Sequence, residues 1–313
     1  MRAAVLKKYG VPEVSDFQEP VAKEGQKVVE VLMSGLNPKD ATVASGVIPA
    51  LAPPLPSVIG SEGVGLMEGK RVYFEGGISP FASVAERTLV DPSTVFSVPD
   101  YLTHEQAVTI GIAGSTAWIA LSWRGKIKKG ETVLILGATG AVGIMAVQAA
   151  KLLGAGRVIA AGRNVGVLES LKSVGADAVV VLDGDVPAQA AKFAEASQGK
   201  LDLVIDMLWG PSASAALMAA SAGARLVSLG ISAAIETPFS TVIMMMPQSA
   251  ILGFSMATVP FDVRKETYAL LADYVRQGYL KLKTEVYPLS QFNTAWEKQQ
   301  NSPHGKIIID LKK

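Results

Sequence analysis

The sequence predicts an α/β protein in which a doubly wound parallel sheet is joined to a β-rich part. Three observations carry this prediction. Short β-branched runs alternate with helical stretches from about residue 130 to 254, residues 1–95 hold short strands between glycine and proline clusters, and a strand-like segment closes the chain. Regular alternation of strand and helix is typical of a parallel sheet with helices on both faces.

The individual elements follow from periodicity and turn residues. In the alternating region the predicted strands are Thr132–Leu136, Val158–Ala161, Ala178–Leu182, Leu203–Asp206, Arg225–Leu229 and Ile251–Gly253. Elsewhere they are Ala3–Lys7, Lys27–Met33, Arg71–Phe74, Phe81–Val90 and Lys306–Leu311. The predicted helices are Ser212–Ala222, Val263–Arg276, Ser290–Gln299 and one that begins at the capping box of Thr103 and Gln106. We expect residues 111–254 to form one domain and residues 1–110, completed by 255–313, to form the other.

Composition excludes several classes of function. The 313 residues are 49% hydrophobic, carry a net charge of +1 and include no cysteine. A balanced charge gives no reason to expect a nucleic-acid or membrane-surface partner, and a chain without cysteine has neither disulfides nor thiolate metal ligands. The first residues lack the apolar run of a signal peptide, and prolines interrupt the apolar stretch Thr237–Val259. We therefore expect a soluble, cytoplasmic protein.

The turn after the first strand of the alternating region is the most informative motif. Gly137 is followed by the pattern Ala138-x-Gly140-x-x-Gly143 and then by an apolar-periodic helix. In a strand–turn–helix unit, such glycines let the backbone approach a pyrophosphate, which the free N–H groups of the helix then bind. The cofactor-binding residues predicted here are Ala138, Thr139, Gly140, Ala141, Val142 and Gly143.

The end of the next strand indicates which dinucleotide is bound. A site for NAD usually places a carboxylate there to accept the ribose 2′-hydroxyl, whereas a site for NADP places a cation for the 2′-phosphate. The chain has Gly162, Arg163 and Asn164 at this point and no acidic residue from 154 to 168. Because the guanidinium group suits phosphate, the sequence predicts NADP(H).

Five blocks of sequence resemble one known family. They are Met1-Arg-Ala-Ala-Val, Ser34-Gly-Leu-Asn-Pro-Lys-Asp40, Val58-Ile-Gly-Ser-Glu-Gly-Val-Gly65, Gly114-Ser-Thr-Ala-Trp118 and Gly305-Lys-Ile-Ile-Ile-Asp-Leu311. Together they resemble medium-chain dehydrogenases/reductases of the quinone-oxidoreductase type. The resemblance implies a GroES-like β-barrel catalytic domain, a Rossmann domain that binds the cofactor, and an active site in the cleft between them. It also implies a homodimer joined through the apolar edge strand within Gln248–Ser255.

The resemblance also implies roles for single residues. Asn37, Lys39 and Thr42 are expected at the catalytic site. Lys39 either stabilises developing oxyanion charge or is a solvated lysine of a loop. Thr116 is expected to contact the nicotinamide end of the cofactor, and Gly230, after the fifth strand, is counted among the cofactor-binding residues. Polar groups of this kind could assist hydride transfer to an enal, an enone or a quinone, with NADPH as donor.

Two departures from the family pattern bear on the reaction. Where zinc-dependent relatives place Cys, His and Cys around a metal, this chain has Asn37, Ser61 and Ile112, so we expect no zinc. The hairpin after Gly65 is short, and Thr42 stands where quinone reductases often carry Tyr. These two features favour a small α,β-unsaturated carbonyl acceptor over a bulky quinone.

Two alternative interpretations compete with this one. Tyr279 and Lys283 match the Tyr-x-x-x-Lys catalytic pair of short-chain dehydrogenases, which requires a helix. The segment alternates as a strand does, and residues four apart on a strand lie about 13 Å apart, so the match is rejected. The second alternative, a non-catalytic NADPH-binding protein of structural or regulatory role, stays open at this point.

Overall fold

The computed structural model describes residues 1–313, and these form two compact units. Unit 1 contains Met1–Ile112 and Tyr268–Lys313, and unit 2 contains Ala113–Thr267. No helix combines the length and the apolar character that crossing a membrane requires.

Unit 2 is built on a six-stranded parallel sheet. Its strands are β9 (Thr132–Leu136), β10 (Arg157–Gly162), β11 (Ala178–Val181), β12 (Leu203–Asp206), β13 (Arg225–Ser228) and β14 (Ala250–Gly253). The helices of this unit are α3 (Ser115–Ile119), α4 (Ala141–Leu152), α5 (Val165–Leu171), α6 (Val186–Ala196), α7 (Pro211–Met218) and α8 (Val242–Met245). All six predicted strands are confirmed, and their ends differ from the prediction by no more than one residue.

The strand order of this sheet is β11-β10-β9-β12-β13-β14. The chain therefore runs outward from β9 in one direction and then returns to continue from β9 in the other. Dinucleotides bind at the carboxyl ends of the strands where the order reverses. The turn that follows β9 lies at this reversal, so the fold places the glycine motif where a dinucleotide site is expected.

The three glycines after β9 differ in backbone conformation and in the space around them. Gly137 has a φ of 82°, which favours glycine. At Gly143 a Cβ atom would lie 2.3 Å from the Gly137 carbonyl oxygen and 2.6 Å from the Ala138 Cα, so the packing of helix on turn requires glycine there. At Gly140 the backbone is extended (φ −86°, ψ 168°) and the nearest atom to a Cβ would be 3.6 Å away. Nothing in the protein itself requires glycine at position 140.

Unit 1 contains the antiparallel sheets and the chain termini. Its strands are β1 (Arg2–Leu6), β2 (Glu13–Asp16), β3 (Lys27–Gly35), β4 (Ser57–Val58), β5 (Gly63–Met67), β6 (Lys70–Phe74), β7 (Arg87–Val90), β8 (Phe96–Ser97), β15 (Thr284–Pro288) and β16 (Lys306–Asp310). Three strands form one sheet, β2-β1-β4, and the larger sheet follows the order β15-β16-β3-β5-β6-β8, with β7 also paired to β3. This agrees with the β-barrel domain that the resemblance implies.

The helices of unit 1 lie beside these sheets in the sequence. They are α1 (Pro38–Ser45), α2 (His104–Thr109) and α10 (Phe292–Gln300), while α9 (Phe261–Arg276) spans the boundary between the units. The predicted capping box of α2 is confirmed, because Gln106 N–H donates to the Thr103 hydroxyl and Thr103 N–H donates to the Gln106 side chain. The last strand, β16, pairs antiparallel with β3, so the C-terminal segment completes a sheet that begins near the N-terminus.

One predicted strand is wrong over most of its length. The sequence predicts an extended chain throughout Phe81–Val90, but the strand begins only at Arg87. Residues 81–85 are buried and irregular. The Val84 carbonyl accepts from the Ala4 N–H, and the Val84 N–H donates to the Ile59 carbonyl. The apolar character that suggests a strand here arises from burial beneath neighbouring strands, which short apolar runs do not distinguish from strand pairing.

Two other local predictions are confirmed. The short hairpin after Gly65 is a two-residue turn, with Met67 opposite Lys70 and left-handed backbone at Glu68 (φ 51°) and Gly69 (φ 78°). Such primed turns match the twist of the two strands that they join. Residues 279–283 are not helical, since α9 ends at Arg276 and β15 begins at Thr284, so the rejection of a short-chain dehydrogenase pair is correct.

The glycine turn yields a stability prediction. We expect Gly143→Ala to lower the free energy of unfolding by roughly 1–3 kcal/mol, because the added methyl group would overlap backbone atoms. Gly140→Ala is the matched control, and it should leave the melting temperature of the free protein nearly unchanged. Equal destabilisation by both variants in thermal unfolding would contradict this account of the turn.

Candidate functional site

A buried cluster of polar side chains forms where β3 ends and α1 begins. Asn37 is the N-cap residue of α1, and its backbone N–H donates to the Asp40 carboxylate at 2.7 Å. Pro38 follows at the first helical position, where the missing N–H costs nothing. The Asn37 side chain does not cap the helix and instead contacts the strands beside it.

The centre of the cluster is an ion pair between Glu62 and Lys306. Both side chains are almost fully buried, with 0% and 1% of their surface exposed. Lys306 Nζ donates to Glu62 Oε1. Glu62 Oε2 accepts from the Tyr73 hydroxyl at 2.8 Å and from the Ile112 N–H at 2.7 Å. Charges removed from water in this way require both a partner and further hydrogen bonds, and Glu62 has them.

Asn37 is held in one orientation by the ion pair. Its Oδ1 accepts from Lys306 Nζ at 2.7 Å, whereas its Nδ2 donates to Glu62 Oε1 at 3.0 Å and to the Ser61 hydroxyl at 3.2 Å. Because the lysine donates and the Glu62 oxygen accepts, the amide oxygen must face Lys306 and the amide nitrogen must face Glu62. Asn37 thus links the charged centre to Ser61.

Asp40 and Ser61 form the side of the cluster that reaches the surface. Asp40 is buried, whereas Ser61 is partly exposed, and the Ser61 hydroxyl donates to the Asp40 carboxylate. Burial raises the pKa of Asp40 to about 6, against the opposing effects of the Ser61 and Asn37 hydrogen bonds and of the Lys306 charge. A carboxyl group with a pKa this close to neutral can exchange a proton under ordinary conditions.

The structure brings together only some of the residues predicted for catalysis. Of the three, Asn37 belongs to the buried cluster, whereas the exposed Lys39 makes no hydrogen bond or ion pair. The Thr42 hydroxyl donates to the Pro38 carbonyl at 3.4 Å, one helical turn earlier. The sequence does not predict Lys306 as a site residue, because a lysine at the first position of an apolar strand is usually exposed to solvent.

In unit 2 the glycine turn leaves the first turn of α4 open. Gly140 is the N-cap residue, and no side chain caps this helix of 12 residues. Gly143 and Ala138 pack against each other, so the open space lies on the Gly140 side of the turn. The uncapped N–H groups and the space left by Gly140 fit a pyrophosphate group.

The end of β10 supplies a free cation. Arg163 is exposed and makes no ion pair or hydrogen bond within the protein. Asn164 caps α5 by accepting from the Val167 N–H at 3.1 Å, and a Cβ on Gly162 would lie 2.8 Å from the Thr139 side chain. The positions of Arg163 and the α4 turn on adjacent strands fit a phosphorylated dinucleotide.

The two remaining predicted cofactor residues lie elsewhere in unit 2. Thr116 is in α3 and is buried. Gly230 follows β13, and a Cβ there would lie 2.4 Å from the Met207 carbonyl oxygen, so glycine lets the loops after β12 and β13 approach each other. No group of three or more His, Cys, Asp or Glu side chains is arranged to hold a metal ion.

The buried ion pair yields a prediction with a matched control. We expect Lys306→Met to lower the free energy of unfolding by about 3–5 kcal/mol, because Glu62 would remain buried without its partner. Lys312→Met removes the exposed partner of Glu30 and should cost about 1 kcal/mol or less. Adding Glu62→Gln to Lys306→Met should restore part of the loss, and denaturant unfolding measures all three. Similar losses for Lys306→Met and Lys312→Met would show that the buried ion pair contributes no more to stability than the exposed one.

Comparison with known proteins identifies the family. Residues 141–274 match the family model described as zinc-binding dehydrogenase. A quinone oxidoreductase of Homo sapiens is 30% identical over 330 aligned positions, which cover 99% of this chain and 98% of that protein. A 2-methylene-furan-3-one reductase of Solanum lycopersicum is 32% identical over 201 positions, covering 58% of this chain and 52% of that one.

The solved structures agree with the sequence comparison. The quinone oxidoreductase of Thermus thermophilus, also solved in complex with NADPH, is 29% identical and superposes with a TM-score of 0.86. That likeness covers 99% of this chain and 100% of the other. Because the likeness to the human relative extends over nearly the whole of both chains, the protein belongs to the quinone oxidoreductase family of medium-chain dehydrogenases/reductases.

Proposed function

We propose that the protein is a zinc-independent, NADPH-dependent reductase that transfers hydride to a conjugated acceptor, either a small enal or enone or a quinone. The observation that carries this proposal is the unpaired Arg163 on the strand next to the uncapped N-terminus of α4. The relatives support it, since they include two quinone oxidoreductases, one solved with NADPH, and a reductase named for a conjugated ketone. These relatives are enzymes, which favours catalysis over the alternative of a non-catalytic NADPH-binding protein.

Unit 2 would hold the cofactor. The N–H groups of Ala141, Val142 and Gly143 would bind the pyrophosphate, and Arg163 would bind the 2′-phosphate. Thr116 is proposed at the nicotinamide end, with the remaining turn and strand-end residues around the cofactor: Ala138, Thr139, Gly140, Gly162, Asn164 and Gly230. When bound, NADPH supplies the hydride for the acceptor.

Unit 1 would hold the acceptor, with no metal to activate it. Asn37 and Ser61 are bonded to each other, and Ile112 has no side-chain donor, so these three positions do not offer a zinc site. The acceptor must therefore be activated by its own conjugation. Lys39 is the exposed cation of α1, and we assign to it the stabilisation of charge on the acceptor oxygen.

The proposed preference for small acceptors rests on two features that unit 1 lacks, a long hairpin and an aromatic side chain at position 42. The two-residue turn at Glu68 and Gly69 leaves no extended hairpin, and Thr42 offers no aromatic ring on which a flat molecule could stack. Stacking on an aromatic ring adds about 0.5–1.5 kcal/mol to the binding of a flat aromatic group. We therefore propose small α,β-unsaturated carbonyls as preferred acceptors, with quinones second. The cytoplasmic location stays a prediction.

The proposed reaction is tested with a panel of acceptors. We expect NADPH oxidation, followed at 340 nm, with small enals and enones and more slowly with quinones. Prolonged chelation beforehand should leave the rates unchanged, because the chain lacks a zinc-ligand set. Turnover of a naphthoquinone with no enal or enone would overturn the preference, and loss of activity on removal of bound zinc would overturn metal independence. Tight NADPH binding without turnover of any acceptor would favour the non-catalytic alternative.

The cofactor assignment predicts a specific effect of Arg163→Ala. We expect the KM for NADPH to rise by roughly 10- to 150-fold, because the loss of a charged contact to phosphate costs about 1.5–3 kcal/mol. The KM for NADH should stay the same, since NADH has no 2′-phosphate. Lys172→Ala, which removes an exposed cation paired with Glu169 in the same unit, is the control and should change neither value. Equal effects of Arg163→Ala on both cofactors would remove Arg163 from this role.

We also propose a homodimer joined at β14. This strand is the edge of the parallel sheet, and exposed apolar side chains precede it in α8 and its C-cap, with 59% of Val242, 67% of Met245 and 80% of Met246 accessible. Open sheet edges and apolar patches of this kind favour association.

The dimer proposal is tested by light scattering. We expect twice the chain mass of 32.7 kDa at micromolar concentration, and the double substitution Met245→Glu, Met246→Glu should shift the protein toward monomer. Leu51→Glu changes an exposed apolar residue of unit 1 and is the control, which should keep the dimer. A monomer mass for the unmodified protein would contradict the proposal.

A further inference from the structure

Reduction of an enone requires a proton as well as a hydride. Hydride adds to the β-carbon with its electron pair, the carbon–carbon π bond breaks, and negative charge moves onto the conjugated oxygen to give an enolate. The product forms only when the α-carbon of this enolate gains a proton. Lys39 is assigned to the acceptor oxygen, so the source of the proton for the α-carbon is a separate question about unit 1.

The polar cluster contains one chain of groups that can release a proton to its surface. Asp40 is 3% exposed, and its carboxyl group is bonded to the hydroxyl of the partly exposed Ser61. Glu62 is bonded instead to Lys306, to Tyr73 and to the Ile112 N–H. Of the two buried carboxyl groups in the cluster, only Asp40 contacts a hydroxyl that reaches the surface.

We propose that Ser61 donates the proton to the α-carbon of the reduced acceptor and that Asp40 replaces it on Ser61. This proposal rests on the proposed function, since it concerns the same acceptor. Asn37 is the positioning residue, because its amide, held by Lys306 and Glu62, donates to the Ser61 oxygen and leaves the Ser61 proton for Asp40 or the acceptor.

The step balances in atoms and electrons. NADPH supplies two electrons and one hydrogen at the β-carbon, the Ser61 O–H bond breaks as the α-carbon–hydrogen bond forms, and the proton of Asp40 passes to the Ser61 oxygen. The enone becomes the saturated carbonyl compound, NADP⁺ is released, and Asp40 is left as a carboxylate. Water then restores the proton through Ser61, the exposed end of the pair.

The electrostatics of the cluster agree with this role. Burial raises the pKa of Asp40 from 3.8 to about 6, and the nearby Glu62 charge acts in the same direction, whereas Lys306 opposes it. Because the folded protein binds this proton more tightly than the unfolded chain does, ionisation of Asp40 removes stability as the pH rises from 3.8 to about 6. In Asp40→Asn this loss is absent, so its stability relative to the unmodified protein should increase over the same range.

The kinetic test compares two acceptors in the same variants. Asp40→Asn and Ser61→Ala should lower kcat for an enone by about 100-fold or more, the usual effect of a general acid. With a quinone, the same variants should lose much less kcat than with the enone, because the oxygens of its reduced product take protons directly from water. Ser61→Thr keeps the hydroxyl and should retain enone turnover. Asp100→Asn, an exposed acid, is the control for both acceptors.

Two further measurements separate proton donation from a merely structural role. The enone kcat of the unmodified protein should fall as the pH rises through about 6, where Asp40 loses its proton, whereas Asp40→Asn should show no such step. In the cofactor-free protein, infrared difference spectra should contain protonated-carboxyl absorption that titrates in this range, and Asp40→Asn should remove one part of it. Asp206→Asn is the control spectrum, because the pKa of Asp206 is also raised to about 6 by burial.

The outcomes distinguish the two proposals. If the unmodified protein reduces neither acceptor, the proposed function fails. If it reduces both and the two variants, folded by circular dichroism, reduce the enone at the unmodified rate, the proton pathway is wrong while the proposed function stands. Equal losses with enone and quinone would also overturn the pathway, since a proton donor to carbon has no reason to affect protonation at oxygen.

Discussion

The buried ion pair of Lys306 and Glu62 is the interaction on which unit 1 depends. It joins β16, the last strand of the chain, to the start of β5, and its hydrogen bonds extend to Asn37, Tyr73 and Ile112. Unpaired charges in such a place would cost several kcal/mol each, so the surrounding strands must bring both partners into register. The geometry of the candidate acceptor site is therefore fixed by a contact between segments that are far apart in the sequence.

The same cluster gives two neighbouring carboxyl groups different environments. Glu62 has a lysine as its direct partner and accepts further hydrogen bonds from Asn37, Tyr73 and Ile112. Asp40 has only hydrogen bonds from Ser61 and Asn37, and burial raises its pKa to about 6. Groups whose surroundings differ in this way are suited to different tasks, one to hold side chains in place and the other to exchange a proton.

The three glycines of the turn after β9 in unit 2 have different roles. Gly137 provides a left-handed turn and Gly143 a close contact of helix and turn, so both are required by the fold alone. Gly140 is required by neither, and the space that it leaves lies at an uncapped helix N-terminus. The distinction matters because a glycine motif by itself does not separate a tight turn from a nucleotide site, whereas the surroundings of each glycine do.

The parallel sheet, its six strands and the position of the glycine turn are predictable from the sequence alone, because alternating periodicity and turn glycines are local properties. The sequence also places Arg163 at a strand end with no acidic residue from 154 to 168, which is enough to favour NADP(H). The partners of Glu62, the burial of Lys306 and the irregular course of residues 81–86 are visible only in the folded protein. These depend on which distant segments pack together, and nothing in the residues around Lys306 indicates that its charge will be removed from water.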